Sequence, residues 1–294
     1  VTHAHMENFE SIDSLAYEKA MLFSGLCPNG VVVVDKESCQ AFPIIPHLAK
    51  EFGAIDVITV GKDADVQIVN SKVCNNATHV TVEAGGVTFE YAIQSVGAHF
   101  VLDSAIAFAS AMCAAFDGTL KNIVHEHGEE IKNVFCPVMN NLKPIAGRGQ
   151  TYMLALDDKR EITVIDDAYN ANLTSMLSGL RSFECASGKR RVAVIGDMLA
   201  LGEMTTRAHE QLFEALAHSN IDKIYAVGML VRPHFAKIPA HKQGRLASSR
   251  EELEAILFHE LQHGDVVWVK ASNAVGLYGL FGDLTERVQA DIAA

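Results

Sequence analysis

Residues 162–176 read ITVIDDAYNANLTSM and join an apolar run to the start of a helix. The run Ile162–Ile165 is short and mostly apolar, and two acids, Asp166 and Asp167, follow it directly. Short strands of this kind are typical of a parallel sheet that is covered on both faces, and such sheets bind ligands beyond the carboxyl ends of their strands. The stretch therefore predicts an α/β fold with a ligand site where this strand ends.

Two further apolar runs end in polar groups. Gly196-Asp197-Met198 follows the run Val192–Ile195, and Lys270-Ala271-Ser272-Asn273 follows Val266–Val269. Parallel strands end at one edge of their sheet, so we expect the three groups to lie together. A single Asp or Asn after a strand often does no more than cap the next helix, but three polar strand ends favour a binding site.

The length of 294 residues and a cluster of Pro and Gly near the middle of the chain predict two domains. Pro144, Gly147 and Gly149 interrupt the chain, which places the boundary near residue 150 and the domains at 1–150 and 151–294. In the first half we expect strands, a hairpin around Gly85-Gly86 and a buried helix at Ala98–Ala115. In the second half we expect strands that alternate with helices beginning near Leu173, Thr205 and Ser249.

Composition limits the classes of partner. The chain has 24 basic and 36 acidic residues, a net charge of −12, which argues against nucleic acid or an anionic membrane as the main partner. No apolar stretch reaches the roughly 18 residues that a membrane span needs. The six cysteines contain no CxxC pair, so we expect reduced thiols and a cytoplasmic location.

The polar strand ends resemble motifs of the Mur ligases, which are ATP-dependent amide-forming enzymes. Asp166–Met176 is similar to the family pattern D-D-x-Y-N-A-N-P-x-S-M, and Gly196–Gly202 is similar to G-D-M-L-E-L-G. His209 stands where the family often has a histidine, and Val269–Asn273 resembles the ending V-K-G-S-R.

The first half resembles the same family. Ala4–Phe9 is similar to A-H-x-E-x-F, and Lys19 follows fourteen residues after His5. Gly97-Ala98-His99 resembles the G-x-H before a long helix, and Gly147-Arg148 resembles the G-R segment that closes the central ATPase domain. The resemblance implies an incomplete ATPase domain followed by a Rossmann-like C-terminal domain with a mostly parallel sheet.

The resemblance also implies an activity. It is strongest to the branch that adds D-alanyl-D-alanine to UDP-N-acetylmuramoyl-tripeptide in peptidoglycan synthesis, through an acyl phosphate made from ATP. His5 and a carbamylated Lys19 would ligate Mg²⁺, and Lys19 and Arg148 would be catalytic. Residues expected to contact the nucleotide are His99, Asp103, Arg148, Asp167, Tyr169 and Asn170, and those expected to contact the substrate are Asn172, Lys270 and Ser272.

Simpler interpretations exist for several of these residues. His5 would then be a histidine at a helix start and Lys19 an ordinary surface lysine. Arg148 would be a linker arginine in a Gly-rich turn. Asn172 would begin a helix, and Lys270 and Ser272 would be solvated residues at a strand end.

The sequence departs from the family pattern in two ways. It has no G-x-x-x-x-G-K-[ST] loop to hold phosphate, so we expect a fragment that is inactive by itself. Phe100 and Asp103 stand where the family has adenine-contacting Asn residues, and Asn273 replaces an Arg. Leu173 and Ala200 replace a Pro and a Glu.

Two alternative functions stay open at this point. The chain could belong to another amide ligase of this type, such as a folylpolyglutamate synthase, or to a non-catalytic nucleotide-binding remnant. A nicotinamide dehydrogenase is disfavoured because no G-x-G-x-x-G follows the strands.

Overall fold

The computed structural model describes residues 9–74, 77–95, 97–141 and 144–282. Within them the chain forms two compact units, one that ends before Pro144 and one that begins there. The division falls seven residues before the predicted one between 150 and 151, so the turn that carries Arg148 packs with the second unit.

The first unit is built on a five-stranded sheet in the order β1-β2-β3-β4-β5. Strands β1 to β3 are parallel, and β3 to β5 are antiparallel. The strands are β1 (Val31–Asp35), β2 (Asp56–Gly61), β3 (Val66–Cys74), β4 (Ala77–Ala84) and β5 (Val87–Ile93). The helices are α1 (Ile12–Ala20), α2 (Lys36–Ala41), α3 (Ile44–Glu51), α4 (Ala98–Ala115), α5 (Leu120–Glu130) and α6 (Cys136–Met139).

The predicted hairpin and the predicted helix of the first unit are both present. Gly85 and Gly86 have φ of 56° and 80°, the left-handed pair that a tight hairpin turn requires. Helix α4 packs on this hairpin through Phe108, whose ring centroid lies 5.4 Å from those of both Phe89 and Tyr91. Aromatic packing therefore joins the helix to the sheet.

The second unit has a six-stranded sheet in the order β10-β9-β8-β11-β7-β6, in which only the β6–β7 pair is antiparallel. The strands are β6 (Gln150–Ala155), β7 (Glu161–Asp166), β8 (Arg190–Gly196), β9 (Lys223–Val227), β10 (Gln243–Ala247) and β11 (Asp265–Lys270). The helices are α7 (Leu173–Phe183), α8 (Thr205–His218), α9 (Arg232–Phe235) and α10 (Arg250–Glu260). The predicted mostly parallel α/β sheet is confirmed.

Both faces of this sheet are covered, as its apolar strands require. One buried cluster includes Val267 of β11 and Leu257 of α10, and the other includes Trp268 of β11 and Phe213 of α8. Successive residues of a strand point to opposite faces, so neighbours on β11 enter different cores. Strand β11 consequently has all six of its residues buried.

The described residues contain no single helix that is long and apolar enough to cross a membrane. Helical residues 99–115 and 120–139 meet the length and composition criteria only as a pair, which is bent by 92°.

A close approach between α7 and β11 generates a stability prediction. A β-carbon on Gly179 of α7 would lie 2.6 Å from Cζ2 of the buried Trp268. We expect Gly179→Ala to lower the free energy of unfolding by about 1–3 kcal/mol, because overpacking outweighs the better helix propensity of alanine. Denaturant titration followed by the fluorescence of Trp268, the chain's one tryptophan, measures the change.

The matched control is Thr174→Ala, at an exposed position in the first turn of the same helix. Thr174 is exposed, so the effect of the substitution should stay within about 0.5 kcal/mol. A Gly179→Ala protein as stable as this control would contradict the proposed close packing.

Candidate active site at the strand ends

The three polar strand ends lie side by side, as the sequence predicts. Strands β8, β11 and β7 are parallel neighbours. Backbone hydrogen bonds join the segments beyond them: the Asp167 N–H donates to the Val269 carbonyl at 2.9 Å, and the Ser272 N–H donates to the Asp197 carbonyl at 3.0 Å. The three motifs therefore form one continuous polar floor.

A buried ion pair lies at the centre of this floor. The Lys270 ammonium is 2.8 Å from Oδ2 of Asp167 and donates to the Asn170 carbonyl at 3.1 Å. Lys270 is 3% and Asp167 8% exposed. Lys270 is thus not the solvated lysine of the simpler interpretation, and its charge is neutralised within the second unit.

Asp166, next to this pair, joins two loops through its carboxylate. Oδ1 accepts from the Ala168 N–H at 3.1 Å, and Oδ2 accepts from the Gly279 N–H at 3.4 Å. Burial raises the pKa of the Asp166 carboxyl, and the two N–H donors oppose that rise. The sequence marked Asp166 only as part of a motif, and its link to Gly279 depends on a contact across 113 residues.

Asn172 and Ser272 have structural partners. The Asn172 side chain accepts from the Ser175 N–H at 2.9 Å and begins α7 with a reciprocal capping box. Ser272 Oγ accepts from the Leu199 N–H at 2.9 Å and lies 3.4 Å from the Ala171 carbonyl. The helix-start interpretation describes Asn172, and a substrate contact by either residue stays a prediction.

Asp197 ties two strand-end loops together. Its carboxylate accepts from three consecutive N–H groups, those of Met229, Leu230 and Val231, at 2.9–3.0 Å. Gly228 precedes these donors with φ of 132°, and a β-carbon there would lie 2.2 Å from the Asp197 carboxylate. The loop after β9 can approach Asp197 this closely only with glycine at that position.

His209 holds the loop after β8 from beneath. Its Nε2 lies 3.0 Å from the Met198 amide nitrogen and its Nδ1 lies 2.7 Å from the Thr205 carbonyl oxygen. The Met198 N–H donates, so Nε2 carries no proton, and Nδ1–H donates to the carbonyl. This pattern requires a neutral ring, and burial correspondingly lowers the pKa of His209.

The exposed layer of the site contains the predicted nucleotide contacts. The Arg148 guanidinium carbon lies 4.4 Å above the centroid of the Tyr169 ring, a cation–π stack. Both residues are exposed, as is Asn170. The Tyr169 N–H donates to the Gly147 carbonyl at 3.0 Å, which explains why the two motifs meet.

The other predicted site residues belong to the first unit. His99 is half-buried at the start of α4, with its ring centroid 4.0 Å from that of Phe100, and Asp103 is exposed on the same helix. Lys19 is exposed in the last turn of α1, and His5 lies outside the described residues. Across the described ranges, no three His, Cys, Asp or Glu side chains are grouped so as to hold a metal ion.

The buried ion pair generates a prediction. We expect Lys270→Met to lower the free energy of unfolding by about 3–5 kcal/mol, because it leaves the Asp167 carboxylate buried without its cation. Lys237→Met is the control, since Lys237 and Glu210 lie at a similar distance, 2.7 Å, but are 46% and 54% exposed. Lys237→Met should lower the free energy of unfolding by less than about 1 kcal/mol. Equal losses in the two variants would contradict a larger contribution from the buried pair.

His209 generates a pH prediction. The unfolded chain takes up a proton on this residue near pH 6.5, as a free histidine does, whereas the folded chain resists it. The contribution of His209 to the free energy of unfolding is therefore fully present above about pH 6.5. It is lost as the pH falls, by up to about 1.4 kcal/mol per pH unit. Urea unfolding between pH 8 and pH 5.5 measures the slope.

The variant His209→Gln removes the titrating ring from the same position. Its slope below pH 6.5 should be smaller than that of the wild type by about one proton. His234, whose ring stacks 6.2 Å away and whose pKa is also lowered by burial, retains its own contribution. An unchanged slope in His209→Gln would show that other groups carry the pH dependence.

Comparisons with known proteins give relatives of both units. The UDP-N-acetylmuramoyl-tripeptide–D-alanyl-D-alanine ligase of Bacillus subtilis is 24% identical over 294 residues, which cover 97% of this chain and 58% of the relative. The crystal structure of MurF from Acinetobacter baumannii matches with a TM-score of 0.76 at 22% identity, over 97% of this chain and 58% of that one. MurF ligase from Thermotoga maritima in complex with ADP matches with a TM-score of 0.71 at 21% identity, over 98% and 61%.

The structural matches confirm the predicted fold, and the coverage shows that the chain spans less than two thirds of its relatives' length. Two family models account for most of the chain: the Mur ligase middle domain matches residues 1–111, and the Mur ligase glutamate ligase domain matches residues 152–273. On these matches and on the motifs at its strand ends, the chain belongs to the Mur ligase family.

Proposed function

We propose that the protein is an ATP-dependent ligase that joins D-alanyl-D-alanine to UDP-N-acetylmuramoyl-tripeptide in peptidoglycan synthesis. The observation that carries the proposal is the match to relatives named for this reaction over 94–98% of the chain. A matching structure that holds ADP supports ATP as the co-substrate. The activity is proposed for the complete reading frame, and the 294 residues, which lack a Walker-type phosphate loop, are proposed to be inactive alone.

The proposed reaction has two steps. The tripeptide carboxylate attacks the γ-phosphorus of ATP, which forms an acyl phosphate and releases ADP. The amine of D-alanyl-D-alanine then attacks the acyl carbon, which forms the amide and releases phosphate. The protein's task in both steps is to hold the reactants in line and to neutralise the negative charge that develops on the phosphoryl oxygens.

Arg148 is proposed to supply that neutralising charge. Its guanidinium carbon lies over the Tyr169 ring, and a guanidinium carries N–H donors that match phosphate oxygens. Tyr169 and Asn170 are proposed nucleotide contacts because they are exposed above the buried floor. His99 and Asp103 of the first unit are proposed nucleotide contacts on the basis of the family resemblance alone.

The buried groups are proposed to support this layer. Lys270 neutralises Asp167 and donates to the Asn170 carbonyl, so it fixes the backbone beneath Tyr169 and Asn170. Ser272 and Asn172 remain proposed substrate contacts, and their oxygen atoms already organise the neighbouring loops. Asp167 is buried, so its proposed contribution to nucleotide binding is to hold the exposed residues in place.

Mg²⁺ is proposed with His5 and a carbamylated Lys19 as ligands. Magnesium in phosphoryl-transfer sites commonly takes one or two protein ligands and completes its shell with phosphate and water. The exposed Lys19 is accessible for carbamylation, which would turn its cation into an oxygen donor. When bound, the ion would neutralise phosphate charge.

A cytoplasmic location is proposed with this function. All six cysteines are free thiols in the structure, in keeping with a reducing compartment.

The test is phosphate release by the protein of the complete reading frame, supplied with ATP, Mg²⁺, UDP-N-acetylmuramoyl-tripeptide and D-alanyl-D-alanine. We expect release to require both co-substrates. We also expect Arg148→Ala to lower kcat by about 10²-fold, the usual effect of removing one charge-stabilising donor. Arg181→Ala, which removes an exposed arginine from α7, is the control and should leave kcat unchanged.

Three outcomes would contradict parts of this proposal. Release that depends on a folate and glutamate would transfer the protein to the folylpolyglutamate synthase type. No release with any substrate would favour a non-catalytic remnant, for which Phe100, Asp103 and Asn273 are the motivating departures. Full activity in Arg148→Ala would leave the reaction standing and remove Arg148 from its role.

A further inference from the structure

The segment after β11 forms a turn that is anchored on both sides. Leu277 and Leu280 are 0% and 1% exposed. The Arg250 guanidinium donates to the Gly276 carbonyl at 2.8 Å, and the Gly279 N–H donates to the Asp166 carboxylate at 3.4 Å. The backbone on either side of residue 278 is therefore held firmly against the second unit.

Tyr278 is the exposed side chain at the centre of this turn. It is 44% exposed, although its flanking residues are fixed. Its ring lies against the backbone of Gly147, where a β-carbon would be 2.5 Å from Cδ2 and 2.6 Å from Cε2. Gly147 has φ of 75°, so both its backbone conformation and the approach of Tyr278 require glycine.

The same ring meets Tyr169. The two ring centroids are 6.5 Å apart with an interplanar angle of 84°, an edge-to-face arrangement that aromatic pairs favour. Tyr169 in turn carries the Arg148 guanidinium on its ring at 4.4 Å. Three exposed side chains thus form a series, and it ends at Tyr278, whose turn is anchored on both sides.

We propose that Tyr278 is a positioning residue, which holds the Tyr169 ring and through it the Arg148 guanidinium in one orientation. This rests on the proposed function, in which Arg148 neutralises phosphate. A Tyr169 ring without a neighbour would sample other rotamers, and a stacked arginine would move with it. Preorganised charge is what such a site needs, because reorientation at the moment of reaction costs rate.

The ring of Tyr278 faces both Gly147 and Tyr169, which decides the choice of variants. Tyr278→Phe keeps the ring, and Tyr278→Ala removes it. Tyr278→Leu fills part of the space on Gly147 without an aromatic edge, and it replaces the alanine variant should that one fail to fold. Met153→Ala, which removes a 60% exposed side chain from β6 of the same unit, is the matched control.

The first measurement does not depend on activity. In the 294-residue chain, the Arg148 Nε–H proton should resonate upfield because the guanidinium carbon lies over the Tyr169 ring, and Arg148→Lys and Tyr169→Leu identify and calibrate the signal. We expect Tyr278→Ala to move it towards the Tyr169→Leu position, whereas Tyr278→Phe and Met153→Ala leave it in place. An unmoved signal in Tyr278→Ala would overturn the proposal.

The second measurement uses the complete reading frame. We expect Tyr278→Ala to raise KM for ATP or lower kcat by about threefold to tenfold, as the loss of one aromatic pair allows, and Tyr278→Phe to restore the wild-type value. Wild-type kinetics in Tyr278→Ala, in an active enzyme, would overturn the positioning role alone. No turnover by the wild type would overturn the proposed function, and the resonance of Arg148 would still decide whether Tyr278 positions it.

Discussion

A buried ammonium is strongly destabilising without a carboxylate beside it, and Asp167 pairs with Lys270 at the centre of the second unit. Lys270 ends β11, which lies between β8 and β7 in the sheet. The pair therefore lies where three strand ends meet. A second N–H of the ammonium donates to the Asn170 carbonyl, so the same charge also fixes the loop that carries Tyr169. The loops of the site take their shape around this pair.

The other buried polar groups of the floor are also paired, but with backbone groups in place of an opposite charge. Asp197 is compensated by three N–H groups, and His209 is kept neutral by one donor and one acceptor. A buried polar group that is paired holds its partners in place, because a break would leave a desolvated group behind. The strand ends thus combine a rigid base with an exposed layer of Arg148, Tyr169 and Asn170. Such a division suits a site that must be preorganised and still reachable by ligand.

The sequence alone predicted the α/β class, the hairpin, the long helix and the convergence of the three polar strand ends. These features follow from local patterns, since apolar runs form parallel strands and parallel strands end at one edge. Strands β3, β6 and β10 were not predicted. Gln243–Ala247 contains a glycine and an arginine, and it becomes a strand only because β9 offers it a partner. The residue pattern of one strand is a weaker signal where pairing with a neighbouring strand supplies the stability.

The sequence by itself determined which residue types gather at the strand ends. It also determined the order of the motifs by which the family is identified. Only the tertiary structure decided which of those side chains are buried supports and which are exposed. Lys270 and Asp167 are 103 positions apart, and Tyr278 reaches Gly147 across a gap longer still. Contacts between residues so far apart in the sequence depend on how loops from different strands pack against each other. No local pattern encodes that packing, because it is decided by the burial and pairing of polar groups in the finished fold.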